Sequence, residues 1–307
     1  MKMEYVMELT LAKQIYRDIK QNNYEALTHK VLEHRILLFL GSFFNNESEL
    51  KILAQFLLNN DSNPNLRSNI FILLYLRGQK KFSGYNLSYL NLFGFDFQEM
   101  NFDQCNFEAS DLRKCNFQDS SIQHANFSYC SLSDANLRRS KLNNSNFHKS
   151  DLSGAKLADC EMKSVILTRS HLCGTEMNCI QMPSADLEQA YLFKCNCRFS
   201  NFTDSNFKKA ILIETDFTGA DFENCDLRES DLKFTNLQNA ILFQTKCDGA
   251  DFLGADLRKA SIPIIFNGIN LELAITNRPI LRLIKNPFPP LYKEKTKHPF
   301  SETTGLL

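Results

Sequence analysis

Every fifth residue from Phe82 to Ile262 is a large apolar one, and this period constrains the fold more than any other feature of the sequence. The pattern runs for 37 consecutive pentads, and only Cys197 and Cys247 depart from Leu, Phe, Ile or Met at the centre. Two positions before the centre, 31 of the 36 residues from Tyr85 to Ala260 are Ala, Ser, Cys, Thr or Val. The residue between these two positions is Asn or Asp in 22 pentads.

A period of five excludes long stretches of regular secondary structure. In an α-helix a step of five residues turns by roughly 140°, which would scatter the apolar side chains around the helix. In a flat strand, residues five apart point to opposite faces. We therefore predict that each pentad is a short strand followed by a bend, with the small residue and the apolar centre facing inward. Glycine ends seven of the pentads, from Gly84 to Gly254, and suits a corner with unusual φ and ψ angles.

A column of leucines indicates how many pentads make one turn. The centres from Leu92 to Leu232 are all leucine in steps of 20, whereas only 10 of the 28 centres outside this column are leucine. We therefore expect four pentads per coil, with successive coils paired as parallel strands. The motif small–Asn/Asp–Leu/Phe–x–x, as in Ala-Asn-Leu-Arg-Arg at 135–139, resembles the pentapeptide-repeat family over residues 82–262. This resemblance implies a mainly β fold, a right-handed quadrilateral parallel β-helix of about nine coils.

Residues 1–81 lack the pentad pattern and predict an α-helical capping domain. Apolar residues recur at helical spacing from Met7 to Ile19 and from Leu27 to Leu37. Two further helices are expected over Glu47–Leu58 and Asn65–Leu76. Because the open end of a β-helix exposes unpaired strand edges, we expect this domain to cover the first coil.

The first coil carries larger residues than the coils that follow. Its inner positions include Tyr85, Leu90 and Phe95, where later coils have Ala, Ser or Cys, and Tyr89 and Phe93 add apolar groups at its corners. We expect these five residues to form the docking surface for the N-terminal domain.

The pentad pattern stops at Pro263, so residues 263–307 are expected to form a capping segment and a flexible tail. Apolar residues at 270–285 predict a short capping helix. The proline-rich stretch at 286–290 and the polar end predict an extended tail.

Charge and cysteine usage narrow the class of protein. The whole chain is formally neutral, and residues 82–262 carry 18 Lys and Arg against 24 Asp and Glu, so no specific nucleic-acid binding is expected. Eight of the ten cysteines fall at inward positions, where free thiols act as small hydrophobic groups, and only Cys173 and Cys179 should point outward. Free thiols favour a reducing compartment, the cytoplasm. No signal-peptide pattern occurs, and the apolar run at 35–40 is too short to span a bilayer.

Catalytic residues are not indicated. His124, His148 and His171 are expected at outward positions, without a nucleophile or carboxylate at a meaningful spacing. The many aspartates follow from the repeat motif, and no P-loop or dinucleotide fingerprint occurs. We predict that the protein is not an enzyme and has no catalytic, metal-binding or cofactor-binding residues.

Apolar residues interrupt the polar outward positions in two pentads that should lie on adjacent coils. Tyr191 and Phe193 flank Leu192, and four pentads later Ile211 and Ile213 flank Leu212; Leu253 follows two coils above Ile213. An apolar patch of this kind on a solvent-exposed rod indicates a covered surface. The sequence is compatible with two ways of covering this surface: a protein partner could bind it, or the chain's own tail or N-terminal domain could fold over it.

These observations favour a non-enzymatic protein–protein interaction scaffold that presents a rigid surface. Two alternatives remain. Some members of the pentapeptide-repeat family mimic DNA and bind type II topoisomerases such as gyrase, although the mild acidity here weakens that comparison. A secreted bacterial effector, translocated into a host cell and acting on a host protein, is the other alternative, since the polar end with Gly-Leu-Leu at 305–307 is compatible with a C-terminal secretion signal. The sequence identifies neither the partner nor the oligomeric state.

Overall fold

The computed structural model shows a helical N-terminal region followed by a four-sided parallel β-helix. It describes residues 2–44, 47–59, 63–261, 269, 271–272 and 274–276. The predicted proline-rich stretch at 286–290 and the end at 305–307 lie outside the described residues. Within the described part, none of the helices combines the length and the apolar character that crossing a lipid bilayer requires.

The N-terminal region is helical, as predicted. Its helices are α1 (Lys2–Lys20), α2 (Glu25–Thr28), α3 (His34–Phe43), α4 (Glu47–Ala54), which continues into a 3₁₀ turn at Gln55–Leu57, and α5 (Pro64–Leu76). Asn63 caps α5, because its side chain accepts hydrogen bonds from the N–H groups of Asn65 and Leu66, and Pro64 occupies the first helical position.

The apolar pattern from Leu27 to Leu37 does not form one helix, which corrects the sequence prediction. The break is explained by Asn69 on α5, which is buried. Its Oδ1 accepts a hydrogen bond from the Leu32 N–H at 2.7 Å, and its Nδ2 donates to the carbonyls of Leu27 at 2.9 Å and Lys30 at 2.8 Å. These tertiary hydrogen bonds satisfy backbone groups that a continuous helix would have paired internally.

The β-helix is built from single bridging pairs instead of long strands. Parallel bridges join positions four pentads apart, from Lys81 with Asn101 to Ile241 with Ser261. The paired residues occupy the Asn/Asp position of the pentad. The chain therefore returns to the same side after four pentads, as the leucine column predicts.

Inside the β-helix, like side chains stack in columns. The rings of Phe107 and Phe127 lie 4.9 Å apart and those of Phe127 and Phe147 lie 4.7 Å apart, with interplanar angles of 5° and 6°. The small inner residues satisfy their own polar groups, because the Cys105 thiol and the Ser110 hydroxyl donate to backbone carbonyls at 2.8 and 2.7 Å. Burial raises the pKa of Cys105 to about 12, so this thiol stays protonated.

The Asn/Asp position is explained by local and inter-coil hydrogen bonds. The Asn106 Oδ1 accepts from the N–H of Glu108, two residues on, at 3.1 Å, which closes a turn after the bridging residue. The same oxygen accepts from the Asn126 amide of the next coil at 3.0 Å. Asparagine therefore both shapes the bend and links neighbouring coils.

The corners have the unusual conformation that the glycines predicted. All 36 residues at the last pentad position, from Gly84 to Lys259, have positive φ, and 29 of them are not glycine. A left-handed conformation costs an L-residue about 1–2 kcal/mol. The fold tolerates this cost at most corners because inter-coil pairing fixes the backbone.

Gly174 offers a test of this corner strain. Its φ is +68° and an added Cβ would meet nothing within 4 Å, so Gly174→Ala should lower the free energy of unfolding by about 1 kcal/mol through backbone strain alone. Ala109→Gly, at a corner with φ 54°, is the reverse change and should raise it by up to about 1 kcal/mol, because the relief of backbone strain outweighs the larger entropy of the unfolded chain. Urea unfolding measures both; an equal cost for the two variants would contradict the explanation.

Helix α5 covers the first coil through an aromatic contact. The buried Phe71 ring lies 4.9 Å from Phe82, 6.3 Å from Phe95 and 5.9 Å from Phe97. Ring pairs in edge-to-face or tilted arrangements stabilise a fold by more than the burial of their apolar area alone. The rings thus join the core of the helical region to the core of the β-helix.

Hydrogen bonds from the helical region also satisfy backbone groups at this end of the β-helix. The Tyr75 hydroxyl donates to the Asp96 carbonyl at 3.1 Å, and an Arg67 guanidinium nitrogen donates to the Ser88 carbonyl at 2.9 Å. The Asn86 N–H donates to the Leu57 carbonyl. These bonds occupy part of the coil edge that would otherwise be unpaired.

Two of the five residues predicted to dock the N-terminal domain remain solvent-exposed, which corrects that part of the prediction. Leu90 is buried, and Tyr85 and Phe95 are partly buried against the core, but Tyr89 is 62% and Phe93 is 49% exposed. Tyr89 occupies a positive-φ corner, and Phe93 occupies an outward position beside two cationic side chains of the next coil. Both rings therefore remain largely in solvent with the helices in place.

The predicted capping helix at 270–285 is wrong in its described part. Ile275 forms a parallel bridge with Asp256; its N–H donates to the Ala255 carbonyl and its carbonyl accepts from the Leu257 N–H, at 2.9 and 2.8 Å. An extended segment satisfies the backbone groups that the last coil leaves unpaired, which a helix could not do. Residues 277–285 lie outside the described residues.

Candidate functional site

Four apolar side chains meet on the side of the β-helix whose centres form the leucine column. Tyr191 and Ile211 form a bridging pair on adjacent coils, and the hydrogen bond from the Lys194 N–H to the Ile213 carbonyl places Phe193 and Ile213 on the same two coils. Tyr191 is 43% and Phe193 is 36% exposed, and the two isoleucines are half-buried. We call these four residues the apolar patch.

The core of the β-helix does not require the four patch residues to be apolar. Leu192 and Leu212, between the patch residues, are fully buried and fill the inner column. The outward positions beside them usually carry polar side chains in this chain, as Asp151 and Ser153 do two coils below Tyr191 and Phe193. The apolar character of the patch therefore concerns its outer surface.

Leu253, which the sequence grouped with these residues, is separated from them. Asp231 and Lys233 occupy the intervening coil and form an ion pair at 3.0 Å. Lys233 also lies 3.3 Å from Asp251, beside Leu253. The patch therefore ends at Ile211 and Ile213.

Polar side chains frame the rest of the patch. The His171 ring stacks on Tyr191 with centroids 4.8 Å apart and an interplanar angle of 3°. The Lys194 ammonium lies 4.8 Å from the Phe193 ring centroid and 3.4 Å from the Glu214 carboxylate. An apolar centre with a charged rim is the usual anatomy of a protein-binding surface.

A groove at the corner next to the patch was missed by the sequence analysis. Its volume is about 460 Å³, and the residues that line it are Tyr129, Lys149, Arg169, His171, Gln189 and Tyr191. Four of these occupy the last pentad position on successive coils, which forms one corner column. Reading that position at every fourth pentad would have brought them together, whereas reading neighbours along the chain does not.

Two pairs of neighbouring basic residues, Arg138 with Arg139 and Lys208 with Lys209, form ion pairs with carboxylates. Arg139 pairs with Asp119 at 2.7 Å, and Arg138 pairs with Glu176. Lys208 and Lys209 lie 3.6 and 3.5 Å from the Glu229 carboxylate. These exposed pairs are typical of a solvated face and contribute little stability.

The remaining candidate groups show ordinary surface or core surroundings. The His148 Nδ1 lies 2.6 Å from the Thr168 hydroxyl, and His124 is an exposed corner residue. Cys173 is half-buried and Cys179 exposed, whereas the other eight cysteines are buried. No group of three or more His, Cys, Asp or Glu side chains in the described residues is placed to hold a metal ion.

Comparison with known families gives matches across the β-helix. A profile described as a pentapeptide repeat region matches residues 90–165, and one described as pentapeptide repeats (8 copies) matches residues 181–208, 209–244 and 235–262. A search of curated proteins gives no match.

Solved structures with similarity to this chain include three pentapeptide-repeat proteins. HetL, involved in heterocyst differentiation regulation in the cyanobacterium Nostoc sp. strain PCC 7120, is 22% identical over 67% of this chain and 92% of its own, with a TM-score of 0.40. A trypsin-treated form of QnrB1, a plasmid-mediated fluoroquinolone resistance protein, is 17% identical over 63% and 92%, with a TM-score of 0.33. Rfr23 from the cyanobacterium Cyanothece 51142 is 18% identical over 62% and 94%, with a TM-score of 0.13.

Proposed function

Because this chain belongs to the pentapeptide-repeat family, we propose that it is a non-enzymatic scaffold that binds a protein partner through one rigid side of its β-helix. The proposed binding surface is the apolar patch. The observation that supports it most is the contiguity of four outward apolar side chains on two adjacent coils, at positions that the core does not require. From family membership we also infer a right-handed winding with about nine coils.

Rigidity makes this surface suitable for binding. Each coil is tied to the next by backbone hydrogen bonds, such as those from Leu192 to Ile211 at 2.7 Å and from Ile211 to Ala190 at 2.9 Å. A preorganised surface loses little conformational entropy when a partner binds. Aromatic side chains such as Tyr191 and Phe193, with few rotatable bonds, are frequent sources of binding energy.

The described helices do not cover the patch, because Tyr191 and Phe193 stay 43% and 36% exposed with the helical region in place. Helix α5 contacts the coil that contains Phe82 and Phe97. Phe93, on that coil, and Phe193 occupy the same column five coils apart, which corresponds to about 24 Å at the usual strand spacing. A separate protein or the segment after residue 276 would have to cover the patch, and we propose the former.

Replacing Phe193 and Ile213 together with serine should abolish partner binding without destabilising the protein. We expect the melting temperature to change by less than about 3 °C, since neither side chain fills the core. Recovery of the partner in pull-downs from the producing cells should fall at least about tenfold, as for a lost hot spot. Quantitative mass spectrometry and a thermal melt measure the two effects.

The matched control is the double replacement of Phe199 and Ile241 with serine. These residues are 59% and 41% exposed and lie outside the patch. Partner recovery should stay unchanged in this variant. A large fall in melting temperature of the patch variant would instead indicate an intramolecular contact, and equal recovery from both variants would exclude the patch as the binding surface.

The charge distribution does not favour a DNA mimic. Residues 82–262 carry 18 basic and 24 acidic side chains, so the basic groups are nearly as many as the acidic ones. Several aspartates at the bridging position are paired with an arginine two residues on, as in Asp226 with Arg228 and Asp256 with Arg258. The arginines interrupt the continuous negative surface that imitation of a phosphate backbone requires. We therefore expect the protein at micromolar concentration to leave DNA binding by gyrase unchanged.

A further inference from the structure

One arginine of the β-helix differs from all the others in its partner. Seven arginines lie between residues 81 and 261. Six form an ion pair with a carboxylate: Arg113, Arg138, Arg139, Arg198, Arg228 and Arg258. Arg169 is the exception in this described stretch, and its Nε donates to the neutral Gln189 Oε1 at 3.0 Å. The glutamine orients the guanidinium and leaves its charge uncompensated.

Two more nitrogen-bearing side chains line the groove beside Arg169. The Lys149 ammonium lies 5.4 Å from the Tyr129 ring centroid and forms no ion pair with the described residues. His171 lies on the other side, stacked on Tyr191. Asp151 bridges to His171 from the coil below and interacts with it electrostatically, while its carboxylate also accepts hydrogen bonds from the Ser133 hydroxyl at 2.7 Å and the Ser153 N–H at 3.0 Å. The positive charge of the groove therefore comes from Arg169 and Lys149.

These contacts make the groove a local positive site on a β-helix that carries a net negative charge. No carboxylate is found among the described residues that line its volume of about 460 Å³. A planar guanidinium beside an ammonium binds oxyanions by charge-assisted hydrogen bonds. The rings of Tyr129 and Tyr191 line the groove together with these cations.

Tyr191 belongs to both the groove and the apolar patch, so a single ligand can contact both. Arg169 and Ile211 lie two coils apart, which is about 10 Å along the rod at the usual spacing. An extended peptide covers that distance in about three residues. Resting on the proposed function, we propose that the groove binds a carboxylate of an acidic segment of the protein partner, with a large apolar side chain of that segment on the patch about three residues away.

The charge of the chain's own C-terminal segment argues against that segment as the occupant. Residues 263–307 contain six Lys and Arg against three Asp and Glu. A basic segment would be repelled by Arg169 and Lys149, and only an acidic one complements them.

The test uses the full-length protein and a fluorescein-labelled peptide, Ser-Glu-Glu-Ser-Ser-Leu-Phe-Ser, which places a carboxylate three residues before a leucine. Fluorescence anisotropy at low salt should show saturable binding. Arg169→Gln should weaken it about tenfold, the effect of one lost charge-assisted hydrogen bond. Lys149→Gln should weaken it several-fold, whereas Lys209→Gln, in the same corner column but already paired with Glu229, should change it less than twofold.

Three results would overturn the proposal: no saturable binding, equal binding of a peptide with glutamine in place of both glutamates, or equal effects of Lys149→Gln and Lys209→Gln. Binding of a phosphoserine peptide but not of the glutamate peptide would overturn the carboxylate assignment. An unchanged melting temperature of Arg169→Gln excludes misfolding as the cause of a loss. If the patch variant loses its partner while Arg169→Gln does not, the groove proposal fails and the scaffold proposal stands.

Discussion

Replacing Phe127 with alanine is expected to lower the free energy of unfolding by about 3–5 kcal/mol. The Phe127 ring is fully buried and stacks between Phe107 and Phe147 at 4.9 and 4.7 Å. The substitution loses the transfer free energy of the ring and leaves a cavity. Because backbone hydrogen bonds hold the coils at a fixed spacing, the neighbouring rings cannot close that cavity.

Urea unfolding followed by far-UV circular dichroism measures this loss. Leu152→Ala, in the fully buried leucine column, should cost about 2–5 kcal/mol for the same reason. Phe199→Ala removes a ring that is 59% exposed and should cost less than about 1 kcal/mol. If Phe127→Ala costs no more than Phe199→Ala, the stacked column does not stabilise the fold as we describe.

Replacing Phe71 with alanine should cost a similar amount, about 3–5 kcal/mol, and should also weaken the attachment of the helical region to the β-helix. Phe71 is fully buried and contacts Phe82, Phe95 and Phe97, which belong to the first coil. Its loss leaves a cavity between two structural units. The edge of the first coil should then open more often than the middle of the rod.

Hydrogen exchange measured by mass spectrometry separates these effects. In Phe71→Ala, amides of residues 82–100 should exchange faster, while those of residues 140–160 should exchange at the wild-type rate, because solenoid coils contact only their neighbours. Phe243→Ala, which removes a ring that is 52% exposed near the other end, serves as the control. Uniformly faster exchange along the whole rod would contradict a contact confined to the first coil.

The repeating part of the fold could be predicted because each pentad follows the same local rules. Gly84 and Gly254 indicated positive φ at the corners, and the structure has it at every corner between them. Cys105 was predicted to face inward and is buried. The return at every fourth pentad followed from the leucine column, since like residues stack on themselves.

What the sequence did not predict depends on contacts between distant residues. Asn69 interrupts the helical pattern of residues 27–37 through hydrogen bonds to a segment far away along the chain, which periodicity cannot reveal. Ile275 pairs with Asp256 because the last coil needs backbone partners, a requirement that helix propensity does not express.

The same limit applies to the candidate site. The separation of Leu253 from the patch and the unpaired charge of Arg169 appear only when side chains on successive coils are placed side by side. Single outward residues look alike along the sequence. The residues beside them on the adjacent coils decide whether a charge is paired with an opposite charge, whether an apolar side chain is separated from other apolar ones, and whether either can contact a ligand.

The central claim, that a separate protein covers the apolar patch, is tested most directly by photo-crosslinking in the producing cells. The photoreactive amino acid p-benzoylphenylalanine replaces Phe193 in one variant and Ser133, in the same column three coils below, in the other. We predict a discrete adduct with another protein from position 193 and none from position 133. A crosslink from position 193 to residues 277–307 of the same chain, or equal labelling from both positions, would contradict the claim.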